Sequence, residues 1–220
     1  MNKHMRKLTK IQFVGTLVIA IIIFASLGVY ASHREAGGFL KLFHLDRELN
    51  LTTLFSACLL VASGWFLHRI HRLHGPLPAP ILFLAFIFLF MGADECLKIH
   101  ETAERLTGID WQLLYLPLIA AAGFGWLRLA LTLRGIPLLL WFLGAFAWGS
   151  SQLLEAVQWN WGGNVQVANY LIMMIGEEIL EMSGSACFLV TLFDRLHPRV
   201  ENRAHQSRTD LPRSMKTPVR

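Results

Sequence analysis

Long apolar runs alternate with short polar segments along this chain, and they determine its predicted architecture. A helix needs about 20 mainly apolar residues to cross the hydrocarbon core of a bilayer. Six runs reach or approach that length: 11–31, 51–67, 79–91 with a polar continuation, 111–133, 136–154 and 169–193. The pattern therefore predicts an all-α protein whose residues 11–193 form a bundle of six transmembrane helices.

Capping and turn residues separate these runs. Asn50 and Asp110 stand where the second and fourth runs begin, which is typical of helix N-caps. The segment 75–80, GPLPAP, predicts a turn before the third run. The first run is long for the apolar core of a cleaved signal peptide, so we interpret it as a retained span. Residues 194–220 are polar and basic without periodicity, and they predict a disordered tail.

The composition agrees with a membrane protein. Hydrophobic residues make up 54% of the chain and charged residues only 16%, whereas soluble domains are about one quarter charged. A net charge of +5 would suggest nucleic acid in a soluble protein. Here the basic residues flank apolar runs, so we predict the lipid bilayer as partner and no nucleic acid, with protein partners left open.

The basic residues also predict the orientation in the membrane. Cytoplasmic segments are enriched in Lys and Arg. With the N-terminus inside, 15 of the 20 Lys and Arg residues lie on the cytoplasmic side. Both termini are therefore predicted to be cytoplasmic, with a basic segment at 1–10 and the tail at 194–220.

The acidic residues have the reverse distribution, which the rule for basic residues does not explain. Of the 15 acids, 12 lie in predicted outer loops or within spans. The primary candidates for a functional site are Asp94, Glu95, His100, Glu101, Glu177, Glu178 and Glu181. Secondary candidates are Asp46, Glu48, Gln152 and Glu155. Carboxylates are costly in a bilayer, so we expect these side chains to face the bundle interior or a water-filled cavity.

The charge that balances these acids is left open by the sequence. Asp94, Lys98, Glu101 and Arg105 follow helical spacing and would form a row of salt bridges on one helix. A carboxylate set with His100 also suits a divalent metal such as iron, manganese or zinc. Alternatively, the carboxylates share protons, because several acids this close repel one another when ionised.

Short motifs carry a resemblance. The segments GADECLKIHE, LDRELN and GEEILEMSG resemble a group of uncharacterised multi-pass bacterial membrane proteins that carry a DE…IHE segment and a later EE.LEM.G segment. The resemblance implies a bacterial inner-membrane protein and includes Asp46, Glu48, Asp94, Glu95, His100, Glu101, Glu177, Glu178 and Glu181 among the polar positions of that group. It implies no activity.

Three functions fit these observations. The first is an outward-facing carboxylate and histidine site that binds a divalent cation or exchanges protons, with a role in transport. The second is a metal-dependent membrane enzyme that acts on a lipid or a small periplasmic substrate. The third is a non-catalytic assembly partner whose acids form structural ion pairs. A transporter needs a polar route that continues to the cytoplasmic side. The cytoplasmic halves of the predicted spans contain few polar groups, which counts against transport.

Overall fold

The computed structural model describes residues 3–34, 37–45, 50–158 and 169–196, and within those ranges it contains helices and no strand. The helices are α1 (Lys3–His33), a short 3₁₀ helix (Gly38–Phe43), α2 (Leu51–His74), α3 (Ala79–Leu97), α4 (Ile99–Thr107), α5 (Trp111–Leu114), α6 (Leu116–Ala130), α7 (Ile136–Gln158) and α8 (Tyr170–Leu196). The predicted all-α class is confirmed. Asp46, Glu48 and the predicted tail beyond residue 196 lie outside the described residues.

In the described part of the chain, four helical segments are long and apolar enough to cross a membrane: Thr9–His33, Leu51–Leu73, Ala79–Leu97 and Ile136–Gln158. The apolar helix α6 has 15 residues, or about 22 Å at 1.5 Å per residue, which is shorter than the hydrocarbon core of a typical bilayer. Helix α8 has 27 residues and is long enough to cross a membrane, but unlike the four segments above, it contains three glutamates. These features indicate a membrane protein.

The fourth predicted run, 111–133, is not one helix. The chain forms α5, passes through Tyr115 and continues as α6, with Pro117 in the first turn of α6. Proline has no N–H to donate to a carbonyl one turn earlier, and it is favoured where a helix begins. The break therefore follows from Pro117, which the hydrophobic pattern does not reveal.

The polar continuation of the third run also contains a break. Lys98 adopts a left-handed backbone conformation (φ 55°) between α3 and α4. Its N–H donates to the carbonyl of Asp94 at 2.7 Å, which ends α3. The predicted row of salt bridges along one helix is therefore interrupted, although Lys98 Nζ and Glu101 Oε1 do form an ion pair at 2.9 Å.

Helix α8 is central in the bundle. It packs against α1, α2 and α7, while α3 packs against α2 and α6. The largest apolar core joins side chains from five helices, among them Leu60, Phe88, Leu129, Trp141 and Phe188. Small residues bring helix backbones together: a Cβ on Gly184 would lie 2.9 Å from the carbonyl oxygen of Gly144. Such close approaches are typical of helix packing in membranes.

The two ends of the bundle differ in charge. Lys10 Nζ and Asp194 Oδ1 form an ion pair at 2.8 Å, which places the beginning of α1 beside the end of α8. Arg134 and Arg195 lie at this same end. Glu178 is 17 residues before Arg195 along α8, or about 26 Å away along the helix. The glutamates of α8 therefore belong to the opposite end.

Candidate functional site

A cavity of about 450 Å³ lies at this second end, between the ends of α3 and α7 and the beginnings of α2 and α8. We call it the acidic cavity. Seven carboxylates line it: Asp94, Glu95, Glu101, Glu155, Glu177, Glu178 and Glu181. Its basic lining residues, within the described part of the chain, are Lys98 and His100. The structure thus brings together every primary candidate and the secondary candidates Gln152 and Glu155 around one space.

Asp94 organises the turn between α3 and α4. Its side chain is only 1% exposed, and its Oδ1 accepts the backbone N–H of His100 at 2.8 Å. Its Oδ2 lies 3.0 Å from His100 Nδ1, and the Tyr115 hydroxyl donates to Oδ1 at 3.3 Å. One buried carboxylate therefore connects α3, the beginning of α4 and the junction of α5 and α6.

His100 is the imidazole held by this carboxylate. Burial disfavours its charged form, but the hydrogen bond and the charge of Asp94, together with nearby glutamates, outweigh that effect and raise the pKa of His100 above its ordinary value. The imidazole ring also lies 5.0 Å from the Trp111 ring, centroid to centroid. Folding therefore favours protonation of His100 relative to the unfolded chain.

We expect a pH dependence of stability from this residue. Because the folded-state pKa of His100 is raised, its contribution is fully present below the unfolded-state pKa of about 6.5 and is lost as the pH rises through the folded-state pKa. The variant His100→Gln should melt below the wild type at about pH 5.5 and approach it at about pH 8.5. Thermal unfolding of both proteins in a neutral detergent over this range measures the difference.

The control for this prediction is His33→Gln, which changes an exposed histidine at the end of α1. Its melting temperature should follow that of the wild type at every pH. A constant gap between His100→Gln and the wild type across the range would contradict the prediction.

The deeper glutamates take hydrogen bonds from neutral donors. Gln152 Nε2 donates to Glu181 at 3.2 Å, and Gln158 Nε2 donates to Glu177. The Thr53 hydroxyl donates to Glu178 Oε1 at 3.3 Å, and the Trp111 indole N–H donates to Glu155 at 3.2 Å. These donors orient the carboxylates but bring no positive charge.

Some acceptor capacity remains in the acidic cavity. Glu178 Oε2 and Gln152 Oε1 are buried atoms without a hydrogen-bond partner in the described structure. The carboxylates also repel one another: Glu181, which is 8% exposed, is opposed by the charges of neighbouring glutamates on its own helix and on α3. Buried polar atoms without partners and adjacent like charges are both costly, so the site favours an added proton or cation.

Among the residues that the structure describes, no group of three or more His, Cys, Asp or Glu side chains is placed to hold a metal ion. The predicted metal-ligand role of the primary candidates, and the choice among iron, manganese and zinc, stay predictions.

Several lining residues were not expected from the sequence. Gln158 is 1% exposed and lies three residues after Glu155 and six after Gln152, so the spacing on α7 offers a signal. Thr53 and Trp111 offer none, because ordinary threonine and tryptophan residues occur at many helix ends. The predicted N-caps are confirmed: Asn50 accepts from Thr53 N and Asp110 from Gln112 N, each at 2.8 Å.

Comparison with known proteins gives a family but no activity. No curated protein and no solved structure matches this chain. A family model described as "Domain of unknown function (DUF8692)" matches residues 8–196. That range covers nearly all of the described helices, and it agrees with the predicted relation to an uncharacterised family. The chain therefore belongs to the family described as Domain of unknown function (DUF8692).

Proposed function

We propose that this chain is a multi-pass protein of a bacterial inner membrane whose acidic cavity faces the periplasm and exchanges protons. Six of its helices, α1, α2, α3, α6, α7 and α8, form the membrane bundle, and both ends of the chain are cytoplasmic. The basic end around Lys10, Arg134 and Arg195 then lies on the cytoplasmic side, as the preference of Lys and Arg for that side requires.

One observation supports the proton function above all others. Seven carboxylates and only two basic residues line one cavity, counted over the described residues. If all seven carboxylates were ionised, the cavity would carry a net charge of −5 even with both basic residues charged. Uncompensated charge within a membrane protein is costly. Protons are the smallest neutralising charge, and carboxylates that share a site take them up readily.

The mouth of the cavity permits exchange with water. The side chain of Glu101 is 50% exposed and that of its partner Lys98 is 21% exposed. A proton therefore has a route from solvent to Glu101 and Glu95, and from there to the glutamates of α8, which line the same space.

The opposite half of the bundle does not continue this route within the described residues. The Ser63 hydroxyl donates to the carbonyl of Leu59 at 2.8 Å, and the Thr191 hydroxyl lies within hydrogen-bond distance of the carbonyls of Cys187 and Pro137, at 2.9 and 3.3 Å. The surrounding side chains, such as Leu67, Trp141 and Leu192, are buried and apolar. We therefore favour a one-sided site for binding, sensing or catalysis over a transport path.

Infrared spectroscopy of the purified protein tests the proposal directly. At neutral pH the wild type should show the carbonyl band of protonated carboxylic acids. The triple variant Glu177→Gln, Glu178→Gln, Glu181→Gln should lose most of this band, because it removes the acids of α8. The matched control Glu104→Gln changes an acid of α4 that does not line the cavity and should retain the band.

Two outcomes would overturn the proposal. The first is a wild-type spectrum without the band at neutral pH. The second is a stoichiometric metal in the same sample, measured by mass spectrometry and lost in the triple variant, which would favour the predicted metal site instead.

A further inference from the structure

A second cavity, which we call the apolar cleft, lies beside the acidic cavity between α6 and α7. It has a volume of about 310 Å³ and is lined by apolar and aromatic side chains, among them Phe88, Trp126, Trp148 and Phe188. This volume is at the lower limit of those typical of small-molecule sites, and the cleft and the acidic cavity together lie well within the range.

The cleft exists because α7 contacts the α5–α6 segment at two points and separates from it between them. At one end, Trp141 Nε1 donates to the carbonyl of Trp126 at 3.2 Å. At the other end, Gln112 Nε2 donates to the carbonyl of Gln152 at 3.1 Å. These contacts join α7 to the α5–α6 segment on both sides of the open space.

Two glycines keep the middle of the cleft open. Gly123 of α6 and Gly149 of α7 both line it, and a Cβ added to either would meet no atom within 4 Å. Both glycines and the neighbouring Ile119 are exposed at the side of the bundle. In a bilayer, that side faces lipid tails, so a hydrocarbon chain can enter the cleft laterally.

The apolar cleft adjoins the acidic cavity across two shared side chains. Met91 and Trp111 line both spaces. The Trp111 ring forms part of the apolar wall, and its indole N–H donates to Glu155 Oε1 at 3.2 Å. A ligand that lies along the Trp111 side chain would therefore contact the apolar wall at one edge of the indole and the carboxylate of Glu155 at the other.

We propose that the cleft and the acidic cavity together bind one amphiphile, with its hydrocarbon tail in the cleft and a cationic amine head among the carboxylates. The inference rests on the proposed function, because the amine takes the place of a proton in the acidic cavity. An anionic head would be repelled by the carboxylates of the cavity that are ionised, whereas a cationic head is complementary to them. Trp111, at the junction, contacts the ligand where the tail meets the head.

A long-chain primary amine with a brominated tail is a direct probe. Bromine quenches tryptophan fluorescence on contact, and Trp111, Trp126 and Trp148 line the cleft. In nanodiscs of neutral lipid, the wild type should show saturable quenching by this amine. The carboxylic acid with the same brominated tail should produce only the weak, non-saturating quenching expected of a probe dissolved in lipid.

The variants Gly123→Leu and Gly149→Leu test the position of the tail. Each places a side chain in open space within the cleft, changes no residue that lines the acidic cavity, and improves local helix propensity. We expect each to weaken amine binding by about tenfold or more. Gly15→Leu is the matched control, because Gly15 on α1 also has open space around its Cβ position but does not line the cleft.

The outcomes separate this inference from the proposed function. Unchanged amine binding in both leucine variants would overturn the cleft assignment, even where the infrared band of protonated acids is present. Equal saturable quenching by the amine and by the acid would overturn the cationic head. Loss of amine binding in the leucine variants and in the triple glutamine variant, but not in Gly15→Leu, is the supporting result.

Discussion

Replacing Asp94 by alanine should destabilise the protein by about 3 to 5 kcal/mol, the typical cost of removing one partner of a buried charged pair. The variant would leave the backbone N–H of His100, its imidazole and the Tyr115 hydroxyl without their shared acceptor. Equilibrium unfolding in mixed detergent micelles, followed by intrinsic tryptophan fluorescence, measures this loss.

Asp94→Asn and Asp110→Ala are the matched comparisons for this prediction. The asparagine oxygen still accepts from His100 N and Tyr115, and its amide can donate to a neutral His100, so a large part of the stability should be retained. Asp110 accepts only one capping bond among the described contacts, from Gln112 N, and its loss should cost about 1 kcal/mol. A cost for Asp94→Ala below that of Asp110→Ala would refute the central role of Asp94.

The sequence predicts the helices of this fold well because membrane helices follow from simple constraints. Each backbone polar group in the bilayer needs an internal partner, so long apolar runs form helices. Asn50 and Asp110 begin two of them because their side chains satisfy free N–H groups. The acid-rich end also follows, since carboxylates avoid the lipid-facing surface.

The breaks in the helices are harder to predict. At Lys98, the spacing of charges favours a continuous helix with Asp94 facing Lys98. The chain instead turns in the left-handed region, and Asp94 pairs with His100. Tertiary contacts stabilise this turn over the continuous helix: the buried carboxylate of Asp94 also accepts a hydrogen bond from Tyr115, which lies far from it in the sequence.

The apolar cleft has no counterpart in the sequence pattern. Gly123 and Gly149 are small residues in apolar runs, like many others in the chain. They line a cleft only because α7 contacts the α5–α6 segment on both sides of them, through Trp141 and Trp126 and through Gln112 and Gln152. Periodicity describes the face of one helix, whereas a space between two helices depends on their crossing geometry.

The acidic cavity combines unfavourable terms that a purely structural site would avoid. Glu178 Oε2 and Gln152 Oε1 are buried without hydrogen-bond partners, and the glutamates of α8 repel one another. Sites that carry such strain are often functional, because sequences selected only for stability replace such groups. These unfavourable terms argue against the hypothesis that the chain is a non-catalytic assembly partner whose acids form structural ion pairs.

The triple variant Glu177→Gln, Glu178→Gln, Glu181→Gln should therefore be more stable than the wild type at alkaline pH, by about 2 kcal/mol. The amide groups can still accept from Gln158, Thr53 and Gln152, so the orienting hydrogen bonds remain. What disappears is the cost of ionised carboxylates in a confined space. As the pH falls, the wild-type acids take up protons and lose that cost as well, so the stability difference should shrink.

Thermal unfolding of the two proteins from about pH 5 to about pH 9 measures this convergence. Glu104→Gln is the control, because it removes one carboxylate outside the acidic cavity and should show no comparable gain. A triple variant less stable than the wild type at alkaline pH would mean that these glutamates are neutralised by a bound cation or by fixed ion pairs. A more stable variant that has lost amine binding would show that these acids serve binding in this protein, at the expense of stability.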